Sequence, residues 1–280
     1  MDEQERAFRR ARNAAAQART AILADTRAEV LRLLKLARER IQAVLAAQPT
    51  DYQQWYLPQL QREIERALAE LGESSAAALS DAAGEAWRAG QELVDDPLEA
   101  AGVRIAGVAP AIDTRQLFAM RAFMTDRIKD VSVQAANRIN AELGLTAIGA
   151  QPVNDTVKRV AEILGETSRD RAFTIVRTEL SRAYAVAAQE RLTAAAQVVP
   201  GLKKEWRRSG KLHPRPHHRD ANRQIVDYDQ PFTLVSPKGI VKLMFPHDPA
   251  APAGETINCG CIMLPRPTSF RLVAAFNPNR

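Results

Sequence analysis

All four histidines and both cysteines of this 280-residue chain lie between Lys203 and Pro265. Cys259 and Cys261 are two residues apart, so both thiols would point to one face of a strand. Thiolate and imidazole are ligands that zinc favours in proteins. The segment therefore predicts a candidate zinc site, whose ligands are drawn from Cys259, Cys261, His213, His217, His218 and His247.

Two other interpretations of these residues stay open. The first is a pair of buried thiols beside loop histidines that are satisfied by hydrogen bonds, because a single residue between the cysteines is tighter than the usual knuckle spacing of about two to four residues. The second interpretation is a histidine-based nuclease, because His217 and His218 could supply a base next to basic residues that contact phosphate. No acidic metal cluster accompanies them, and no cysteine-enzyme signature surrounds Cys259. We therefore expect no catalytic residues and no enzyme.

The same segment carries the charge of the chain. The formal net charge is +6, and eight basic residues against two acidic ones between Gly201 and Arg223 account for it. Such a patch suits nucleic-acid phosphates or an acidic partner surface, although a solvated face with internal ion pairs is equally compatible. The candidate contact residues are Lys203, Lys204, Arg207, Arg208, Lys211, Arg215, Arg219 and Arg223.

Composition excludes several classes of protein. Hydrophobic residues make up 46% and charged residues 26% of the chain, a normal globular mixture. No run of about 18 apolar residues predicts a membrane span, and the charged start Met1–Arg6 predicts no secretory signal. P-loop and dinucleotide-binding glycine motifs are also missing. Two cysteines form a poor disulfide framework, which fits a reducing interior such as the bacterial cytoplasm.

Helical spacing of apolar residues dominates the first 200 residues. It predicts a helix over residues 1–48, a second that stops at Gly72 as a C-cap, and a third over 74–93 that ends before Pro97. Thr114 is placed as the N-cap of a helix that closes at Gly144. A short helix near 156–164 follows, and Ser168 begins a long helix that reaches Pro200.

After Pro200 the pattern changes to short β-prone runs. Residues 231–235 and 240–245 flank a turn at 236–239, which predicts a hairpin, and Cys259–Leu264 could form another strand. The predicted fold class is mainly α, an elongated helical body with a small C-terminal α+β module. The predicted segments are 1–110 (N-terminal helical), 111–200 (central helical), 201–265 (α+β module) and 266–280 (tail).

Several short motifs follow one another between Arg177 and Pro265. In order they are Arg177-Thr178-Glu179, Glu205-Trp206-Arg207, Arg215-Pro216-His217-His218, Asn222-Arg223-Gln224, Pro231-Phe232, Pro246-His247-Asp248-Pro249 and Asn258-Cys259-Gly260-Cys261. This ordered set resembles the phage head-morphogenesis proteins, the Mu F-like minor capsid family. The residues at its motif positions are Arg177, Glu179, Trp206, His218, Asp248, Cys259 and Cys261.

Two positions depart from the family pattern, and a third, His247, bears on the metal ligands. Arg223 stands where the family turn has glycine, which predicts a different turn because arginine is disfavoured at positive φ. Gly260 replaces an arginine between the cysteines, so a phosphate contact from that position is lost. His247 stands where the family often has a small residue. The resemblance therefore favours His218, Cys259 and Cys261 as metal ligands, with His217 beside them.

The resemblance implies a low-copy virion component of a bacteriophage, assembled in the host cytoplasm and retained in the capsid interior. It implies association with the portal protein inside the procapsid, contact with other capsid proteins and packaged DNA, and a part in head assembly, DNA packaging or genome ejection. Zinc is the one cofactor under consideration. The alternatives are a C-terminal nuclease or toxin-like enzyme domain and a zinc-stabilised DNA-binding module.

Overall fold

A computed structural model describes residues 3–46, 57–105, 109–210 and 214–268 of the protein. Long helices dominate it and strands are confined to its C-terminal part, so the predicted mainly-α class with a small α+β region is confirmed. The helices before residue 200 are α1 (Glu3–Ala46), α2 (Leu57–Ala100), α3 (Arg115–Ala147), α4 (Val153–Glu162) and α5 (Ser168–Ala196). No helix among the described residues has the length and apolar character of a membrane span.

Helix α2 corrects the prediction of two helices separated at Gly72. It continues through Gly72 and past Pro97 to Ala100. A Cβ added to Gly72 would lie 2.5 Å from the Ser132 Oγ on α3, so this glycine permits close helix packing and is not a C-cap. Gly144 likewise lies inside α3 and does not close it.

Helices α4 and α5 are joined by a π-helical turn, Ile163–Thr167, in which Gly165 leaves helical geometry with ψ −116°. The Ser168 hydroxyl donates a hydrogen bond to the Ile163 carbonyl at 2.7 Å. Ser168 therefore begins α5 as predicted, but the helix ends at Ala196, before Pro200.

The chain divides into two compact units. Unit one comprises Met1–Leu23, Ala82–Met120 and Arg177–Arg280, and unit two comprises Ala24–Asp81 and Arg121–Val176. These limits differ from the predicted segment limits at 110 and 200. Apolar side chains at helical spacing form the core of unit two; they include Val30, Leu34, Ile41, Leu68, Leu71, Ile128, Val131, Ile139, Val160 and Leu164.

The strands of unit one form two small antiparallel sheets. The first has the order β2 (Ile225–Asp227), β1 (Leu202–Arg207) and β5 (Ile262–Pro267). The second is the predicted hairpin, β3 (Phe232–Ser236) and β4 (Gly239–Leu243), in which Ser236 pairs with Gly239 across the turn. Two short helices complete this part, α6 (Pro216–Asp220) and α7 (Ala253–Thr256). Strand β5 begins at Ile262, so the two cysteines precede the strand that was predicted to carry them.

Candidate metal centre

Three of the predicted ligands meet in the interior of unit one. His218 lies on α6, while Cys259 and Cys261 lie in the loop between α7 and β5. The His218 Nδ1 atom is 3.6 Å from each cysteine Sγ, and the ligand atoms of all three residues lie within 4.8 Å of one another. All three side chains are buried, with 2–3% exposure.

Glu255, on α7, occupies the other side of the histidine pair. Its Oε2 atom is 2.8 Å from the His218 Nε2 and 2.7 Å from the His217 Nε2. His218 therefore presents Nδ1 to the thiols and Nε2 to a carboxylate. His217, which the sequence grouped with the metal ligands, binds Glu255 and is not part of the cluster around the two sulfurs.

The charges of the cluster are coupled. The pKa of the Cys259 thiol is lowered, because Cys261 hydrogen-bonds to it and His218 lies beside it, and the pKa of Cys261 is raised by the neighbouring Cys259 thiolate and by burial. Burial opposes protonation of His218, but the Cys259 thiolate and Glu255 outweigh it and raise the His218 pKa. Burial would raise the pKa of Glu255, but its bonds to His218 and His217 outweigh burial and lower that pKa. The cluster therefore favours a thiolate at Cys259 over one at Cys261.

His247 is a further buried group at this centre. Its side chain is 0% exposed, and neither ring nitrogen has a hydrogen-bond partner. Burial lowers its pKa, and the nearby Cys259 thiolate partly offsets that effect. The backbone at His247 has φ 72°, in the left-handed region that side chains other than glycine rarely adopt.

Asp248 fixes the loop that carries His247. Its two carboxylate oxygens accept hydrogen bonds from the Met244 and Ala250 backbone N–H groups, each at 2.9 Å. Such side-chain-to-backbone bonds define the turn. This motif residue is therefore a structural anchor for the neighbouring histidine.

The cysteine loop is held from two helices of unit one. Arg19 on α1 donates hydrogen bonds to the Gly260 and Cys261 carbonyls, each at 2.8 Å. Thr178 on α5 accepts the Asn258 backbone N–H at 2.9 Å, and the Arg177 side chain donates to the Asn258 Oδ1 at 3.0 Å. The first and last motifs of the ordered set are thus joined directly, although about 80 residues separate them.

Comparison with known proteins covers the segment that carries these motifs. Residues 147–264 match the family model described as Phage Mu protein F like protein. The resemblance seen in the motifs is therefore confirmed over that segment, called the Mu F-like segment below. It contains all of the motif residues from Arg177 to Cys261.

Two curated relatives match part of the chain. The Bacillus subtilis (strain 168) protein described as uncharacterized protein YqbB is 35% identical over 99 residues, which are 35% of this chain and 31% of that protein. An Enterococcus faecalis (strain ATCC 700802 / V583) protein described as NAD(+)--arginine ADP-ribosyltransferase EFV is 30% identical over 113 residues, which are 40% of this chain and 21% of that protein. The chain thus spans less than a third of the length of these relatives. No solved structure matches it.

Trp206 forms the apolar wall of the centre within the Mu F-like segment. Its ring is 0% exposed and contacts His218 and Phe232 edge-on, with both ring centroids at 5.4 Å. Glu179, the third motif residue on α5, is also buried and pairs with Arg182 at 2.6 Å. Trp206 therefore packs against the centre, and Glu179 forms a buried ion pair on α5.

The turn at Arg223 corrects an expectation. Arg223 adopts φ 71°, so the chain keeps a left-handed turn with arginine in it. The Arg223 backbone N–H donates to the Trp206 carbonyl at 2.8 Å. The next side chain, Gln224, both accepts from and donates to the Thr233 backbone, at 2.8 and 3.1 Å. These bonds compensate for the disfavoured φ angle.

The predicted basic patch is not uniform. Lys204 is 0% exposed and donates to the Gln189 Oε1 at 3.0 Å and the Met244 carbonyl at 2.7 Å, so it cannot reach a phosphate. Ion pairs join Lys203 to Asp227, Arg207 to Glu205 and Arg219 to Asp220. Arg208 and Arg223 are exposed, and Arg215 is partly exposed. Lys211 and His213 lie outside the described residues.

A cleft of about 830 Å³ gathers basic side chains that the sequence did not group. Its lining includes Arg9 and Arg12 from α1 and Arg266 from β5, together with Lys203, Arg207 and Arg223. Glu5 and Glu205 are the acidic residues that line it. The three-residue spacing of Arg9 and Arg12 places them on one helix face, and α1 carries ten basic against five acidic residues, so this signal was available in the sequence.

Proposed function

We propose that this protein is a phage minor capsid protein that acts in head morphogenesis. The match of residues 147–264 to Phage Mu protein F like proteins supports this most directly. The two bonds between the Arg177-Thr178 motif and Asn258 support treating the part of the segment from Arg177 onwards as one folded unit. In this proposal the protein binds the portal inside the procapsid and serves head assembly, DNA packaging or genome ejection.

A structural role suits the centre better than catalysis does. His218 uses Nδ1 towards the thiols and Nε2 towards Glu255. A general base needs a ring nitrogen within reach of the proton that it abstracts from the substrate, and here both nitrogens face protein groups. Cys259 and Cys261 are also buried. These contacts favour a centre that stabilises the fold.

The relative described as an ADP-ribosyltransferase suggests an enzyme, and the match covers 21% of that protein. We propose that the shared part is a module common to both chains and not the transferase activity. The test incubates the purified chain and its His218→Ala variant with NAD and an arginine-containing acceptor, and separately with plasmid DNA. We expect no modification and no cleavage. If the unaltered chain modifies the acceptor or cleaves the DNA, and His218→Ala abolishes that activity, the protein is an enzyme.

The basic cleft supports contact with packaged DNA. Arg9 and Arg223 line it and are exposed, and closely spaced cationic side chains bind phosphates with a steep salt dependence. Arg9→Ala and Arg223→Ala should each weaken binding to duplex DNA of any sequence and reduce the salt slope by about one. Arg219→Ala is the matched control, because Arg219 is exposed and does not line the cleft. Equal loss in all three variants contradicts a role for the cleft.

Portal binding is tested in lysate of cells that are assembling particles. A tagged copy of the chain is recovered, and the portal protein is sought in the eluate and in purified procapsids by mass spectrometry. We expect portal protein with the tagged chain, and the chain at low copy in procapsids. A chain that is missing from procapsids and recovers no portal protein contradicts the proposed role.

A further inference from the structure

We propose that Cys259, Cys261, His218 and His247 bind one structural zinc ion. This site would stabilise the C-terminal part of the chain whether or not the protein binds a portal, so it goes beyond the role proposed above.

The spacing of the first three ligands fits a tetrahedral ion. Zinc binds imidazole nitrogen at about 2.0–2.1 Å and thiolate sulfur at about 2.3 Å, so two such ligands on a tetrahedron lie roughly 3.6 Å apart. The His218 Nδ1 is 3.6 Å from both the Cys259 and the Cys261 Sγ atoms. This separation is long for a strong hydrogen bond and matches two ligands of a shared ion.

His247 lies outside the group of three whose ligand atoms are within 4.8 Å of one another, and we assign it as the fourth ligand because it is buried beside Cys259. A buried polar group without a good hydrogen bond costs roughly 1–3 kcal/mol. Both ring nitrogens of His247 are buried without a hydrogen bond of good geometry, and the Cys259 thiol is the ligand-type group that interacts with the ring. Its left-handed backbone adds a further cost. A zinc ion beside Cys259 would satisfy one nitrogen and account for both features. Four protein ligands without an open position are typical of structural zinc.

Groups around the ligands complete the site. Glu255 accepts from the His218 Nε2 at 2.8 Å, which fixes the tautomer that leaves Nδ1 free for a metal. The Cys261 backbone N–H donates to the Cys259 Sγ at 3.4 Å and helps to stabilise a thiolate. A pocket of about 260 Å³, lined by Ser209, Pro214 and Arg215, borders the cysteines. It provides an entry path for the ion.

The first experiment measures metal in the full chain, purified without chelators and kept reduced. Elemental analysis should give one zinc per chain. After zinc is removed, added cobalt(II) should produce the visible absorption of a tetrahedral site and a thiolate-to-cobalt charge-transfer band. Reduced chain that holds no zinc and gives no cobalt spectrum overturns the proposal, and this outcome depends on no variant.

Variants assign the ligands. Cys259→Ser and His218→Ala should lose the metal, His247→Ala should retain it with an altered cobalt spectrum and weaker affinity, and Glu255→Gln should weaken affinity by roughly 10–100-fold. His217→Ala is the matched control, because it removes a neighbouring imidazole that does not face the thiols; it should retain one metal and the same spectrum. Loss of metal in His217→Ala with an unchanged spectrum in His247→Ala would overturn the assignment of the fourth ligand.

Discussion

Unit two and the C-terminal module, defined here as the described residues from 201 to 268, bury different kinds of polar side chain. The buried polar residues in the described part of unit two all carry hydroxyls: Thr26, Ser75, Ser132, Thr156 and Ser168. In the module the buried polar residues are mostly titratable: Lys204, Glu205, His218, His247, Asp248 and Thr256. The first region resembles an ordinary apolar core, and the second depends on particular polar partners.

This difference determines how each region responds to change. The hydroxyls of Ser132 and Ser168 donate to carbonyls three and five residues earlier in the chain, both at 2.7 Å, so they need no distant partner. In the module, Lys204 and His218 depend on partners 15 to 43 residues away. Loss of one distant partner leaves a buried group unpaired, which costs more than a small apolar truncation. We therefore expect a substitution in unit two to be less destabilising than an equivalent substitution of a buried polar residue in the module.

Metal removal should separate the two regions most strongly. Structural zinc contributes on the order of 10 kcal/mol or more in small zinc-dependent folds. After chelation, amide hydrogen exchange should become much faster in β1 and β5, while residues 24–46 of α1 keep their protection. Re-addition of zinc should restore the slow exchange. Equal protection of β1 with and without the ion contradicts the dependence of the module on metal.

Truncation of one core residue in each region is the next test. Trp206→Ala should cost about 3–5 kcal/mol and Ile41→Ala about 2–5 kcal/mol of unfolding free energy, because both side chains are 0% exposed. Only Trp206→Ala should also weaken metal binding, since Trp206 packs against His218. Cobalt titration of both variants checks this. A similar loss of cobalt affinity in Ile41→Ala shows that the regions do not respond separately.

The sequence predicted the helices of unit two through helical periodicity, because apolar spacing indicates which helix face is buried, but it did not predict the limits of the unit. It misplaced the end of a helix at Gly72, because a glycine that admits a neighbouring helix looks the same in sequence as a C-cap. The motif order likewise predicted that His218, Cys259 and Cys261 belong to one structure. Sequence could not rank His247 above His217, since only tertiary structure shows which imidazole lacks a partner.

Lys204 tests the dependence of the module on a buried charge. Burial lowers its pKa from 10.5 to about 8, so between about pH 8 and pH 10 the unfolded state binds more protons than the folded state. Burial of the charged Lys204 side chain therefore destabilises the folded state fully below about pH 8, and this cost is relieved as the pH rises from about 8 to about 10. Over that range the unfolding free energy of the wild type should increase by roughly 2–3 kcal/mol relative to that of Lys204→Met.

Denaturant unfolding of both proteins at several alkaline pH values checks the Lys204 prediction. The comparison uses the change with pH and not the absolute stability, because Lys204→Met also leaves the Gln189 Oε1 and the Met244 carbonyl without their donor. Lys238→Met is the matched control, since Lys238 is an exposed lysine of the same module. If the unfolding free energies of wild type and Lys204→Met change in parallel with pH, burial does not penalise the charged form of Lys204.

The smallest effect concerns the close packing of α2 and α3 in unit two. Gly72→Ala gains about 1 kcal/mol of helix propensity, but its Cβ would lie 2.5 Å from the Ser132 Oγ and 3.7 Å from the Ser132 Cβ. Removal of that hydroxyl in Ser132→Ala relieves the clash. The double variant should therefore be more stable than wild type by about 1 kcal/mol, and Gly72→Ala alone should show little or none of this gain. A double-mutant cycle in denaturant measures the coupling, and purely additive effects would show that the hydroxyl is not what requires glycine at position 72.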